Sequence, residues 1–180
     1  MSRLAALLLA ATLAAGPALA QAPTPGQAGG ITFPASVAGA TLSRSNGSTY
    51  QYTATNGLEV TVDVYDNGRR VPNGSSHPTI VNQFNDELNN ISQQASSAGM
   101  KGFEKPAVPS ACTYGPYNLR CITFSAAGGT NTGRFYGKFL LIGYREHFVK
   151  IIVHWTQTSG RSNADADALL AAFVPALLQH

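Results

Sequence analysis

The sequence predicts an α+β domain: an antiparallel sheet of about six or seven strands built from hairpins, with two helices packed on it. Three observations lead there. Residues 58–65 alternate apolar and polar side chains without a break, as a half-buried strand does. Residues 78–98 instead repeat apolar side chains at spacings of four and three, which makes one stripe along a helix. Two apolar runs, 134–142 and 148–156, are separated by a short polar link and so fold back on each other. The order strands, helix, strands, helix builds meanders of hairpins rather than a wound parallel sheet.

The chain opens on an export signal. Met1, Ser2 and Arg3 form a short positive start, and residues 4–15 are almost wholly Leu and Ala. Gly16-Pro17 then breaks the run, and Ala18-Leu19-Ala20 presents small residues where a signal peptidase reads. The run is shorter than the roughly 20 apolar residues of a membrane span. Gln21 rather than Cys follows the cut, so no lipid anchor is expected. Cleavage after Ala20 leaves a periplasmic or secreted chain with no later transmembrane segment. Residues 21–30, rich in Gln, Ala, Pro and Gly, read as a flexible tether. Residues 31–180 suffice for one domain with its own core.

Within that domain, residues 31–42 make a short irregular opening strand around Phe33-Pro34 and Val37-Ala38-Gly39. Strands 49–54 and 58–65 pair as a hairpin. A three-residue loop, Thr55 to Gly57, sets Val60 against Tyr52 and Val62 against Tyr50, and that apolar pairing selects the loop, with Gly57 left-handed. The helix of 78–98 carries Pro78 in its first turn, the stripe Ile80, Phe84, Leu88, Ile91, Ala95 and Ala98, and Gly99 as its stop. Residues 103–111, interrupted by Pro106 and Pro109, suit an edge strand, and 119–126 its hairpin partner. After a loop at 128–131 comes the last hairpin. With Gly143 opposite His147, Phe135, Phe139, Leu141, Val149, Ile151, Val153 and Trp155 share one face, and the stripe of Phe84, Leu88 and Ile91 is expected to cover it. The opposite face then holds Arg134, Tyr136 and Lys138 beside His154, with Lys138 near solvent. Residues 162–178 form the final helix, with a capping box between Ser162 and Asp165 and a kink or end at Pro175.

Cys112 and Cys121 are the only cysteines. Behind a signal peptide, an even count favours a disulfide. A turn centred on Pro116-Tyr117 would place the two directly opposite, within disulfide reach.

The segments 62–68 (Val-Asp-Val-Tyr-Asp-Asn-Gly) and 71–74 (Val-Pro-Asn-Gly), then a helix, then 147–151 (His-Phe-Val-Lys-Ile), resemble a set of uncharacterised exported proteobacterial proteins. Their element order is similar to the PsbP/Mog1-like α/β sandwich. The resemblance implies a fold and a compartment, and it carries no catalytic residues.

Without Arg3 the chain has 11 basic and 9 acidic residues, an excess too small to imply nucleic acid. Among the histidines, His77 reads as a local helix cap, His147 as a hairpin-loop residue and His180 as a terminal one. His154 is the one of interest. No P-loop, dinucleotide fingerprint, nucleophile elbow or metal-ligand spacing occurs, so no cofactor, metal or catalytic residue is assigned. Glu59 and Asp63 share a strand face about 13 Å apart, too far for a glycosidase pair. Two functions fit. One is an exported, non-enzymatic accessory or binding protein for an envelope partner or small ligand, with Tyr136, His154, Lys138 and Arg134 as ligand-binding candidates. The alternative is a small envelope hydrolase using His154 as its base.

Mass spectrometry of the exported protein should find Gln21, or its pyroglutamate, as the first residue. Met1 retained in the exported fraction would contradict the export reading.

Overall fold

The computed structural model describes residues 24–128 and 133–179. The expected signal peptide, and most of the loop expected at 128–131, lie outside the described residues. A small ribbon of β1 (Gly26–Ala28) and β2 (Ile31–Phe33) precedes the main sheet. The main sheet contains β3 (Ser36–Val37), β4 (Ala40–Asn46), β5 (Thr49–Ala54), β6 (Glu59–Tyr65), β7 (Lys101–Glu104), β8 (Ser110–Tyr114), β9 (Tyr117–Ala127), β10 (Arg134–Tyr144) and β11 (His147–Thr156). Helices α1 (Pro78–Ser97) and α2 (Asn163–Leu178) complete the α+β architecture. Every strand pair is antiparallel, in the order β3-β4-β5-β6-β11-β10-β9-β7, with β8 also on β9.

The strands outnumber the expected six or seven. Ala38 and Gly39 both take positive φ, so the opening strand folds into the β3–β4 hairpin instead of running straight. Residues 26–28 of the expected tether pair with β2. The 103–111 segment breaks at its prolines into β7 and β8, which lie end to end along β9. The β5–β6 hairpin has the expected register, with Tyr52 on Val60, Tyr50 on Val62 and Gly57 at φ 81°.

Both helices start and stop as their sequences dictate. The His77 ring accepts a hydrogen bond from the Thr79 backbone N–H at 3.2 Å, and Gly99 at φ 78° ends α1. The Ser162–Asp165 capping box opens α2, and Pro175 lies within that helix, which runs on to Leu178.

Two hairpins differ in register from expectation. In β10–β11 the turn residues are Arg145 and Glu146, both at positive φ, and Tyr144 faces His147. Lys138 therefore opposes Val153 rather than Ile152, and Gly137 rather than Tyr136 opposes His154. The expected single apolar face is split. Phe139 and Leu141 pack with Phe84, Leu88 and Phe148 under α1, while Val149, Ile151, Val153 and Trp155 pack with Leu140, Leu170 and Phe173 under α2. One helix covers each face, so the central strands are apolar on both sides and alternation cannot fix their register. Nor does the turn carry the usual Asn-Gly signal. Tertiary contacts hold it instead: the Arg145 guanidinium donates to the Gly30 carbonyl, and the Val71 N–H donates to the Glu146 carbonyl at 3.1 Å.

In β8–β9 the central residues are Gly115 and Pro116, not Pro116 and Tyr117. Gly115 at φ 58° supplies the left-handed first position. Cys112 then faces Leu119, and Cys121 faces Ser110. The cysteines are diagonal neighbours on one face, their Cα atoms are 5.9 Å apart, and they are joined in a disulfide. No helix among the described residues is long and apolar enough to cross a membrane.

Gly143 fixes where the 66–77 segment crosses the sheet. It exchanges two backbone hydrogen bonds of 2.8 Å with Gly74, and a Cβ on it would lie 1.8 Å from the Pro72 carbonyl oxygen. Backbone has to move to relieve such a contact. Gly143→Ala should therefore lower unfolding stability in urea by about 2 kcal/mol or more. A change within about 0.5 kcal/mol, the range of an ordinary surface substitution, would contradict this packing.

Candidate functional site

The register puts one lysine of the central hairpin under each helix, and each is tied to the helix above it. On the α1 side, Lys150 Nζ lies 2.8 Å from Asp63 Oδ2 across the β6–β11 pair and 3.2 Å from Glu87 Oε2 on α1. Tyr65 donates to Glu87 Oε1 at 2.9 Å and Gln83 donates to the same oxygen at 3.1 Å. Thr49 donates to Asp63 Oδ1 at 2.6 Å. Burial works against the Lys150 ammonium, but the hydrogen bonds and charges of Asp63 and Glu87 override it and raise its pKa. Burial, reinforced by the Glu87 charge, also raises the Tyr65 pKa strongly. Neither group gives up its proton near neutral pH.

On the α2 side, Lys138 is buried, with 7% of its surface exposed, where an exposed position was expected. Its ammonium pairs with Asp167 of α2, which also accepts from the Tyr114 hydroxyl at 2.7 Å. Burial pushes the Asp167 carboxyl up, yet the hydrogen bonds from Lys138 and Tyr114 outweigh it and leave the pKa lowered. Tyr114 is raised by burial and by its bond to Asp167.

Beyond Lys138, where α2 begins, the same sheet face is left open as a cleft of about 390 Å³. Thr123, Phe124 and Ser125 of β9, Tyr136 of β10, Asn163 of α2, and Glu104, Lys105 and Pro106 line it. Tyr136 is held by stacking on Trp155, with centroids 5.9 Å apart. Arg134 donates from Nε to Ser125 Oγ at 3.0 Å and forms an ion pair with Glu104. Three of the four residues chosen from sequence, Arg134, Tyr136 and Lys138, therefore stay on one face at or beside this cleft.

The fourth does not join them. His154 projects from the other face, where its Nε2 lies 2.7 Å from Glu59 Oε2 and its ring 5.2 Å from that of Phe135. Among the described residues no Ser, Thr or Cys is hydrogen-bonded to it, so the arrangement supplies a base and an orienting carboxylate without a nucleophile. His147 contacts the Arg145 carbonyl at 2.7 Å and lies 3.9 Å from Asp66, apart from both. No group of three or more His, Cys, Asp or Glu that could hold a metal ion occurs among the described residues.

Asp167, Tyr114 and Glu87 escaped the sequence reading. The one local signal was Glu59-x-x-x-Asp63 on β6, whose carboxylates face His154 and Lys150 of β11 in an antiparallel charge ladder. That ladder is visible only once β6 is known to pair with β11. Comparison with protein-family models, curated proteins and solved structures finds no match to this chain.

Because the Asp167 carboxyl titrates below its ordinary range in the fold, its tie contributes stability that is complete above that range. The contribution is lost as pH falls through the folded value. The wild type should melt above Asp167→Asn at pH 7, and the gap should narrow as the pH falls into and below the ordinary carboxylate range. A gap constant over that range would contradict the assignment.

Proposed function

We propose that this chain is an exported, non-enzymatic binding protein of the envelope, periplasmic or secreted, which takes a small polar ligand in the cleft at the start of α2. The observation that carries the reading is the cleft itself. Thr123, Ser125, Tyr136 and Asn163 bring hydroxyl and amide groups to its lining beside Phe124 and Pro106, with one acid and one base, Glu104 and Lys105. Its volume is within the usual range for small-molecule sites. Neutral hydrogen-bonding groups with balanced charge suit a neutral or zwitterionic ligand carrying several hydroxyl or amide groups. Lys138 and Arg134 are already paired, so they brace the site rather than offer free charge.

The disulfide and the leader-like N-terminus support export, and helices on both faces of an antiparallel sheet accord with the PsbP/Mog1-like resemblance. A hydrolase based on His154 has Glu59 in its favour but no nucleophile among its described contacts.

A thermal-shift panel of neutral sugars, amino acids and short peptides tests the reading. A ligand at about 100 times its Kd stabilises by about 2.7 kcal/mol, a rise of roughly 5–10 °C for a domain of this size. At least one polar class should give such a rise, and Ser125→Trp, which fills the cleft, should abolish it. A rise that survives Ser125→Trp, or no rise across the panel and a native envelope extract, would overturn the proposal.

A further inference from the structure

Strands β9 and β10 part before either ends. Their last paired residues are Arg120 and Leu141, yet β9 begins at Tyr117 and β10 runs on to Tyr144. A continued ladder would set Gly143 opposite Asn118. Gly74 takes that place instead, exchanging two backbone hydrogen bonds of 2.8 Å with Gly143. Asn118 is thereby left over. In the β8–β9 hairpin the two-residue turn makes Tyr114 and Tyr117 a hydrogen-bonded pair, so Thr113 and Asn118 are a non-hydrogen-bonded one. The Asn118 N–H and C=O therefore point away from β8 and into the gap. Neither has a hydrogen-bond partner among the described residues. The gap is a slot of about 430 Å³, lined by residues 73–76, 116–118 and 142–144. No residue in that lining is charged at neutral pH.

We propose that this slot takes up an extended segment of a partner polypeptide, one residue of which pairs with Asn118 as an antiparallel neighbour. The free groups select that occupant. A donor and an acceptor on one extended residue match the acceptor and donor of another, which exchanges both bonds at once. An anion would satisfy the N–H alone, and no cationic side chain lines the slot to hold it. Period two then sets the side chains of the segment. The residue opposite Asn118 faces the side where Thr113 donates to the Asn118 side-chain carbonyl at 2.7 Å, which suits a small polar group. Its two neighbours face the other side, where the Tyr117 and Tyr144 rings lie 5.8 Å apart against the α2-side core, which suits apolar groups. The slot shares no lining residue with the α2 cleft, so this inference stands apart from the proposed function.

The test is an amide NMR titration of the disulfide-bonded chain with the blocked tripeptide acetyl-Val-Ser-Val-N-methylamide. The amides of Gly74, Asn118 and Gly143 should move saturably, and those of Ser125 and Tyr136 at the α2 cleft should not. A probe this short should bind with a Kd of about 1 mM, too weakly to raise the melting temperature at micromolar concentration. Methylating the serine nitrogen removes the N–H that meets the Asn118 carbonyl and should weaken binding about tenfold. Asn118→Pro removes the matching donor of the protein, and Asn73→Trp fills the slot from an exposed position. Each should weaken the unmethylated peptide to a similar degree. Added salt should leave the affinity unchanged, since no charge is involved. Equal binding of the methylated peptide to the wild type would overturn the inference, and that comparison needs no variant to fold. Shifts confined to the α2 cleft, binding that survives both variants, or no saturable binding would overturn it as well.

Discussion

The pairing of β10 with β11 is the constraint on which the rest of the molecule depends. These strands lie in the middle of a sheet with a helix on each side, so every residue on them is assigned to one helix or the other. Lys138 is assigned to α2 and Lys150 to α1. Each then requires a carboxylate from its own side. Asp167 meets the first, and Asp63 with Glu87 meets the second. An ammonium left without its partner in such a place would cost several kcal/mol. A one-residue slip would exchange the faces of one strand relative to the other and part the lysine on that strand from its carboxylate. Two buried ion pairs thus make the register specific where apolar side chains, abundant on both faces, cannot.

That register also decides what remains open. The segment Thr123-Phe124-Ser125 of β9 sends alternate side chains to opposite faces. Thr123 and Ser125 line the cleft beside α2, and the Phe124 ring packs on the opposite face with Phe103 and Phe135. Phe135 and Tyr136 of β10 divide in the same way. The cleft and a second opening lie on opposite faces, one at the start of α2 and one at the end of α1, and period-two geometry gives each its own set of strand side chains. Lys138 and Lys150, farther along the hairpin, line neither opening.

Elements governed by local rules were legible in the sequence. The β5–β6 register followed from one buried face and a glycine in its loop, α1 from its stripe and caps, and α2 from Ser162 and Asp165. The disulfide followed from an even cysteine count and the expected export, although Cys112 and Cys121 proved diagonal because Gly115 rather than Tyr117 takes the special turn position. Two kinds of feature were hidden. The Arg145-Glu146 turn is imposed by contacts with Gly30 and Val71, which are distant in sequence. The pairing of β6 with β11 is likewise non-local, so the facing charges of Asp63 and Lys150 had no signature along the chain. For the site, Arg134, Tyr136 and Lys138 were grouped correctly because they alternate on one strand. His154 was misplaced because its face depended on the hidden turn.

The most direct measurement is the pattern of interstrand Hα–Hα nuclear Overhauser contacts in the central hairpin. Antiparallel strands bring Hα atoms together at their non-hydrogen-bonded pairs. A two-residue turn at Arg145-Glu146 makes these Gly143 with Phe148, Leu141 with Lys150, and Phe139 with Ile152. Strong contacts at those pairs are the result this account predicts. Contacts of Leu141 with Val149 and Phe139 with Ile151 would contradict it, since they would put Lys138 and Lys150 on one face and turn one of them away from the carboxylate that holds it.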